Sequence, residues 1–344
     1  MSNEALEPDP NIFSDEAYDS DGSQSTCSVS SSIFNGLIEN GRSVPSDELQ
    51  FETYEAGYHI LDVGTGQGTW AIEVADKFPS GETDSAVVSS QWQFLLSLSL
   101  AIVRGVDLYP PPATWVPPNC ILEIDDISRD WTWKDPFDLI HIRIFEGAFT
   151  LDEYRGFYKQ CFQNTRPGGW IEQLEIQPIF CSQNDSLPED SSPKEWSRSV
   201  FDAAARSGRP MELYENCVPM IEEAGFVETH VHETKWPIGA WPKDPMRREA
   251  GLINLQHWQS GLEGYSMHLL TNYGVPTPWS WEEVMAFVAK LRNDLANDHH
   301  QIYHFAKRVW ARKPSSDEKA VKPSMPVDET KSSDSEGSVT ADCP

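Results

Sequence analysis

From residue 58 onward, short apolar runs alternate with amphipathic stretches in the order strand, turn, helix. Residues 58–63 (Y-H-I-L-D-V) are an apolar run ending in an acid, and G-T-G-Q-G follows at 64–68. The next stretch, 69–78, places Ile72, Val74, Ala75 and Phe78 among good helix formers, which predicts a helix. Further strands are predicted at 104–108 (R-G-V-D-L), 120–126 (C-I-L-E-I-D-D), 137–144 and 170–176. Between the last two, helical spacing from Asp152 to Asn164 runs into R-P-G-G at 166–169. Alternating strands and helices imply an α/β domain built on a parallel sheet, with its ligand at the carboxyl edge.

Composition divides the chain. Its 344 residues carry 26 Lys and Arg against 54 Asp and Glu, a formal charge of −28. Residues 1–52 hold eleven acids against one arginine in a Ser-rich context, and 314–344 hold seven acids against three lysines. Neither stretch has the apolar content to offset ordering entropy, so both are expected to be disordered, flanking a domain at 53–313. An acidic balance of this size argues against a nucleic-acid partner, because phosphates need Lys and Arg. Six cysteines without C-x-x-C spacing suggest neither a metal site nor a disulfide framework, and the expected setting is intracellular, cytoplasm or nucleus. The uncharged run at 85–103 approaches a membrane span in length, but its serines and glutamines and its place inside the nucleotide-binding unit favour an insert, so no membrane association is expected.

The spacing of the glycines narrows the ligand. A dinucleotide fingerprint would require glycine where Thr69 stands, whereas G-x-G-x-G after Leu61-Asp62 resembles the loop of class I S-adenosylmethionine-dependent methyltransferases. Its structural alternative is a tight turn packing a helix on a sheet. This fold calls for an acid ending the next strand, about 20 residues on, to take the ribose hydroxyls. Asp107 ends that strand but lies 43 residues beyond Gly64, and an insert at 81–103 accounts for the difference. Asp125 and Asp126 end the third strand, the former suited to a solvated turn.

Longer phrases carry a narrower resemblance: I-H-I-R (140–143), R-P-G-G-W-I-E-Q-L-E (166–175), W-P-I-G-A-W-P-K-D (236–244), G-L-E-G-Y-S (261–266) and A-R-K-P (311–314). Over roughly 58–314 the chain resembles the fungal LaeA-like methyltransferases. That resemblance implies a Rossmann-like seven-stranded sheet with a sixth strand at 226–233, a last strand at 303–311 and a C-terminal helical cap insertion at 245–298. It departs from the pattern twice: most of the N-terminal lid is missing before residue 58, and 81–103 is extra and reads as a translated intron.

The resemblance implies S-adenosyl-L-methionine as cofactor. Asp62 would meet the methionyl amine, Gly64, Thr65, Gly66 and Gly68 would form the loop, Asp107 with Leu108 would hold the ribose, and Asp126 with Ile127 would flank adenine. Glu172 is a further acid assigned to the cofactor, and Trp70 could flank it. Methyl transfer needs alignment more than acid–base chemistry. If a proton must leave, His141 is the candidate base, with a structural or cofactor-packing role as its alternative. Arg143 is expected to hold an anionic acceptor or an acid such as Glu146. His230 and His232 are expected on the surface, and His299, His300 and His304 near a helix end. Two functions follow: a methyltransferase acting on a fungal metabolite or protein side chain, possible regulatory partners included, or a non-catalytic scaffold that binds partner proteins.

Overall fold

A computed structural model describes residues 6–9, 58–78, 101–113 and 115–318. Five parallel strands, β1 (His59–Val63), β2 (Ile102–Asp107), β3 (Cys120–Ile124), β4 (Phe137–Arg143) and β5 (Thr165–Ile176), are ordered 3-2-1-4-5. An antiparallel strand, β8 (Ile302–Arg312), pairs with β5 and is flanked by β7 (Val227–Pro237), while two residues, β6 (Cys181–Ser182), extend the β5 side of β8. The short β6 makes the count eight instead of the seven expected. Apolar alternation fixes which face each strand buries: Leu61, Val63, Val106, Ile140, Ile142, Ile171 and Val309 turn to one core, against α2 (Leu151–Asn164) and α4 (Leu213–Glu223). The opposite face carries α1 (Thr69–Lys77) over Ile60 and Val103.

The cap consists of α5 (Pro245–Tyr273) and α6 (Trp281–Leu295), packed on an earlier helix, α3 (Ser192–Ser207), that the sequence reading had not assigned to it. Its core is largely aliphatic and holds three aromatic side chains, Phe180, Trp196 and Trp258, mutually in contact. Side-chain caps set the helix starts: Thr150 and Glu153 form a reciprocal box on α2, Ser280 and Glu283 another on α6, and Asp244 accepts from Arg247 N at the head of α5. No helix among the described residues is long and apolar enough to cross a membrane.

Three expectations change. Residues 102 and 103 belong to β2, where they pair with His59 and Ile60, so the insert ends earlier than 103, and 81–100 lie outside the described residues. Most of both tails also lies outside them, but 6–9 and 314–318 are described, and Leu6 is buried against Ile179, Cys181, Trp241 and Tyr303 instead of trailing in solvent. Cys181 is disulfide-bonded, a pairing the scattered cysteine spacing gave no hint of.

His304, grouped by sequence with the histidines near a helix end, lies in the strand expected at 303–311 and is buried there. It sits within β8, fully buried, with Asn254 Nδ2 donating to its Nε2 at 3.0 Å and its Nδ1 facing Phe305 O at 3.2 Å. Burial pushes its pKa down to about 4. The unfolded chain therefore binds this proton first, and the stability conferred by neutral His304 is lost as pH falls from about 6.5 towards 4. Between pH 7 and 5 the wild type should lose about 2 kcal/mol more than His304→Asn, measured by urea melts of both proteins. Equal losses would refute the assignment.

Candidate active site

Val63 lies level with Val106 of β2 and Ile142 of β4, so the segments that follow these strands gather at one edge. The chain leaves β1 through Gly64, Gly66 and Gly68, all at positive φ (66°, 58° and 77°), a region that costs other residues strain. Side chains would be unwelcome at both ends of this loop: a Cβ on Gly64 would lie 3.0 Å from the Phe145 ring, and one on Gly68 3.0 Å from Leu122. A Cβ on Gly66 would meet nothing within 4 Å, so the middle of the loop is open on that side. Gly68 caps α1, whose first turn offers its N–H groups to this edge.

Two carboxylates hold the loop. Gly66 N–H donates to Asp107 Oδ2 at 2.9 Å, and Asp107 Oδ1 accepts from Tyr109 N at 3.2 Å. Thr65 N–H donates to Val106 O at 3.0 Å and its hydroxyl to Asp62 Oδ2 at 2.6 Å. The other oxygen of Asp62 is taken by His141 Nδ1 at 2.8 Å, and both residues are almost fully buried. The His141 ring is in turn stacked on Trp70, with centroids 3.6 Å apart and planes 3° from parallel. Asp62, predicted to meet the cofactor amine, is thus directed inward at Thr65 and His141.

At the third strand, Asp126 accepts from Ser128 N at 3.1 Å, Ser128 Oγ at 2.6 Å and Arg129 Nε at 3.1 Å. These bonds, Ser128 foremost, hold its carboxyl below the usual range. Asp125 accepts from Asp126 N at 2.8 Å, the turn role expected for it. Ile127 packs against the main core and its carbonyl accepts from Trp131 Nε1 at 3.0 Å, while Leu108 is exposed beside Asp107.

Arg143 ends β4 on the same face as His141 and makes no hydrogen bond or ion pair with a described residue. It does not reach Glu146, whose carboxylate instead accepts from Leu213 N at 3.0 Å and Tyr214 N at 3.1 Å at the start of α4. Its charge is felt on two elements: burial raises the Glu73 carboxyl on α1 while Arg143 pulls it down, and burial together with Arg143 lowers His257 on α5. One Glu73 oxygen is buried and unpartnered. Arg143 therefore carries a charge felt by both α1 and α5 while making no hydrogen bond or ion pair with a described residue.

Glu172 does not join this group. Arg308 of β8 donates to it at 2.7 Å, so it serves a cross-strand ion pair, and its assignment to the cofactor is withdrawn. A residue the sequence reading missed is Glu175, fully buried, which accepts from Phe145 N at 2.8 Å and Gln173 Nε2 at 2.9 Å. Burial, and the neighbouring Glu146, raise its carboxyl. It fixes the backbone of Phe145, the ring seated against Gly64; an acid between Leu174 and Ile176 was the available signal.

A parallel 3-2-1-4-5 sheet edged by an antiparallel strand, with a G-x-G-x-G loop bound to the acid that ends β2, defines a class I methyltransferase. No protein-family model matches the chain. Methyltransferase pytC of Aspergillus terreus is 31% identical over 75% of this chain and 72% of its own length. Secondary metabolism regulator LAE1 of Cochliobolus heterostrophus is 28% identical over 74% of this chain and 76% of its own. Protein-methionine methyltransferase laeA of Emericella nidulans is 27% identical over 82% and 69%. The chain belongs to this fungal LaeA-like methyltransferase family.

Proposed function

We propose that the protein transfers a methyl group from S-adenosylmethionine to a small fungal metabolite that bears an anionic group. The observation that carries this is the open Gly66, whose N–H already faces the Asp107 carboxylate at the edge where β1 and β2 end. The residues present fit the cofactor: three glycines give close backbone approach, Asp107 can accept from ribose hydroxyls, and Leu108 and Ile127 offer apolar surface beside Asp126 for the base. When bound, the cofactor supplies an electrophilic methyl on a sulfonium, and displacement of that kind asks the protein mainly for alignment and exclusion of water.

The chain's residues divide that work. Asp62, Thr65, His141 and Trp70 keep the loop in shape from below; Asp107 and the loop backbone grip the nucleoside; Arg143, facing the cap, holds the acceptor's negative group. His141 is a positioning residue in this reading, because its Nδ1 is committed to Asp62 and its ring to Trp70. A protein acceptor is the competing reading, supported by the name of the Emericella relative.

Calorimetry with S-adenosylhomocysteine, followed by transfer from labelled S-adenosylmethionine to a metabolite extract, tests the proposal. Cofactor binding with no acceptor labelled would leave the scaffold reading in its place. Arg143→Gln should raise the acceptor KM about ten-fold and leave S-adenosylhomocysteine affinity unchanged, as expected for loss of one charge-assisted contact. A weakened cofactor affinity in that variant would move Arg143 to the cofactor side.

A further inference from the structure

The turn that follows β4 is held by two carboxyl groups, that of Glu175 fully buried and that of Glu146 partly so. It begins strained: Ile144, a β-branched residue, sits at φ 51°, and Gly147 follows at φ 77°. Strand β5 takes the first two N–H groups of the turn, Ile144 N donating to Leu174 O at 2.8 Å and Phe145 N to Glu175 Oε1 at 2.8 Å. Glu146, the next residue, reaches α4 instead and accepts from Leu213 N at 3.0 Å and Tyr214 N at 3.1 Å. The residue held between these acids is Phe145, whose ring would lie 3.0 Å from a Cβ on Gly64.

Neither acid makes an ion pair with a described residue. Glu175 Oε1 accepts twice, from Phe145 N and from Gln173 Nε2 at 2.9 Å, but Oε2 is buried without a partner. The groups that face the pair are neutral or already engaged. From α2, the Tyr154 hydroxyl donates to Phe145 O at 2.5 Å, and the Tyr158 hydroxyl donates to Gln173 Oε1. Burial, reinforced by Glu175, pushes both phenols above their usual range, and it does the same to the Cys217 thiol of α4; burial raises the Cys161 thiol of α2. From β8, Lys307 donates to Tyr214 O at 2.9 Å and lies 4.0 Å from Glu215 and 3.8 Å from Glu233. Glu212 adds negative charge beside Glu146. Burial, then the charge of Glu146, raises the Glu175 carboxyl, and burial raises that of Glu146.

We infer that Glu146 and Glu175 are positioning residues for the glycine loop: they share one proton, and with it hold the turn after β4 so that the Phe145 ring stays seated on Gly64. Loss of the proton sets two like charges in one enclosed site, one of them on an oxygen with no donor, and the strained turn is released. The ring then leaves Gly64 and the loop loosens. A carboxyl raised in the folded chain stabilises it fully below the unfolded value, about 4.3, and that contribution is lost as pH rises through the folded one. Stability and cofactor affinity should therefore fall together on the alkaline side. The affinity arm rests on the reading of this loop as the cofactor site; the stability arm does not.

The test is calorimetry with S-adenosylhomocysteine on the full chain from about pH 6 to about pH 9, where binding linked to one proton weakens by up to about ten-fold per unit. Wild type should lose at least about five-fold in affinity across this range, whereas Glu175→Gln should stay within about two-fold. Glutamine mimics the protonated acid, still accepts from Phe145 N–H and cannot ionise. The ligand's own amine titrates alike against both proteins, so their difference reads the pair. Glu146→Gln removes the like charge and should move the fall to lower pH, and it decides the matter if Glu175→Gln does not fold. A fall that is equal in wild type and Glu175→Gln, or unmoved in Glu146→Gln, would overturn the inference, as would a wild type that binds independently of pH. Wild type that binds at no pH refutes the cofactor reading alone. Urea melts then decide the clasp: a wild-type midpoint that drops towards alkaline pH while that of Glu175→Gln holds supports it, and equal drops refute it.

Discussion

Asp107→Ala is expected to abolish S-adenosylhomocysteine binding at concentrations that saturate the wild type, a loss of about 3 kcal/mol or more than about 100-fold. Two losses combine. The carboxylate that would accept from both ribose hydroxyls is gone, and charge-assisted bonds of that kind contribute about 1.5–3 kcal/mol each. Gly66 N–H loses its partner at 2.9 Å as well, so the open middle of the loop is released together with the ligand contact. Asp107→Asn separates the two: an amide oxygen still accepts from Gly66, but one of its two ribose contacts becomes a donor facing a donor or rotating hydroxyl, and an intermediate loss of about ten-fold follows. Calorimetry on the three proteins decides it. Alanine affinity within about three-fold of wild type would mean that the acid ending β2 is only a brace for the loop.

Much of this edge was legible in the sequence because local spacing carries it. Strand, glycine turn and helix are contiguous over 58–78, and an acid closing the second strand needs only a count, so the loop and Asp107 came out where the backbone puts them. Contacts set by the sheet were not legible. Asp62 and His141 are 79 residues apart and meet only because β1 and β4 are neighbours in register. Glu172 reads as one more acid on a predicted strand, yet β8 arrives from over a hundred residues away and supplies Arg308. His304 was grouped with the histidines near a helix end although the strand expected at 303–311 contains it, and nothing local shows that Asn254 of the cap covers it. Leu6 was invisible for the opposite reason. A lone apolar residue in an acidic stretch has no periodicity, and its pocket is assembled from Ile179, Cys181, Trp241 and Tyr303, all more than 170 residues away.

His141 is where the two possible readings of the site predict different numbers. As a general base it would leave cofactor affinity alone and govern turnover; as a positioning residue it acts through Asp62. The structure gives it 3% exposure, one nitrogen bonded to Asp62 and a ring stacked on Trp70, so the second role is expected to dominate. His141→Ala leaves a buried carboxylate oxygen without a donor and a gap under Trp70, and should cost about 3 kcal/mol of stability together with most of the cofactor affinity. His141→Asn places an amide donor near the lost Nδ1, so it should recover the Asp62 bond and much of both losses while still lacking any group able to take a proton at neutral pH. A base predicts the reverse order: both variants bind S-adenosylhomocysteine like wild type, both lose turnover equally, and the acid limb of the pH–rate profile disappears in both. Melting temperature, product affinity and turnover measured on the pair therefore separate the two roles, and an asparagine variant that binds normally but does not turn over would return His141 to the chemistry.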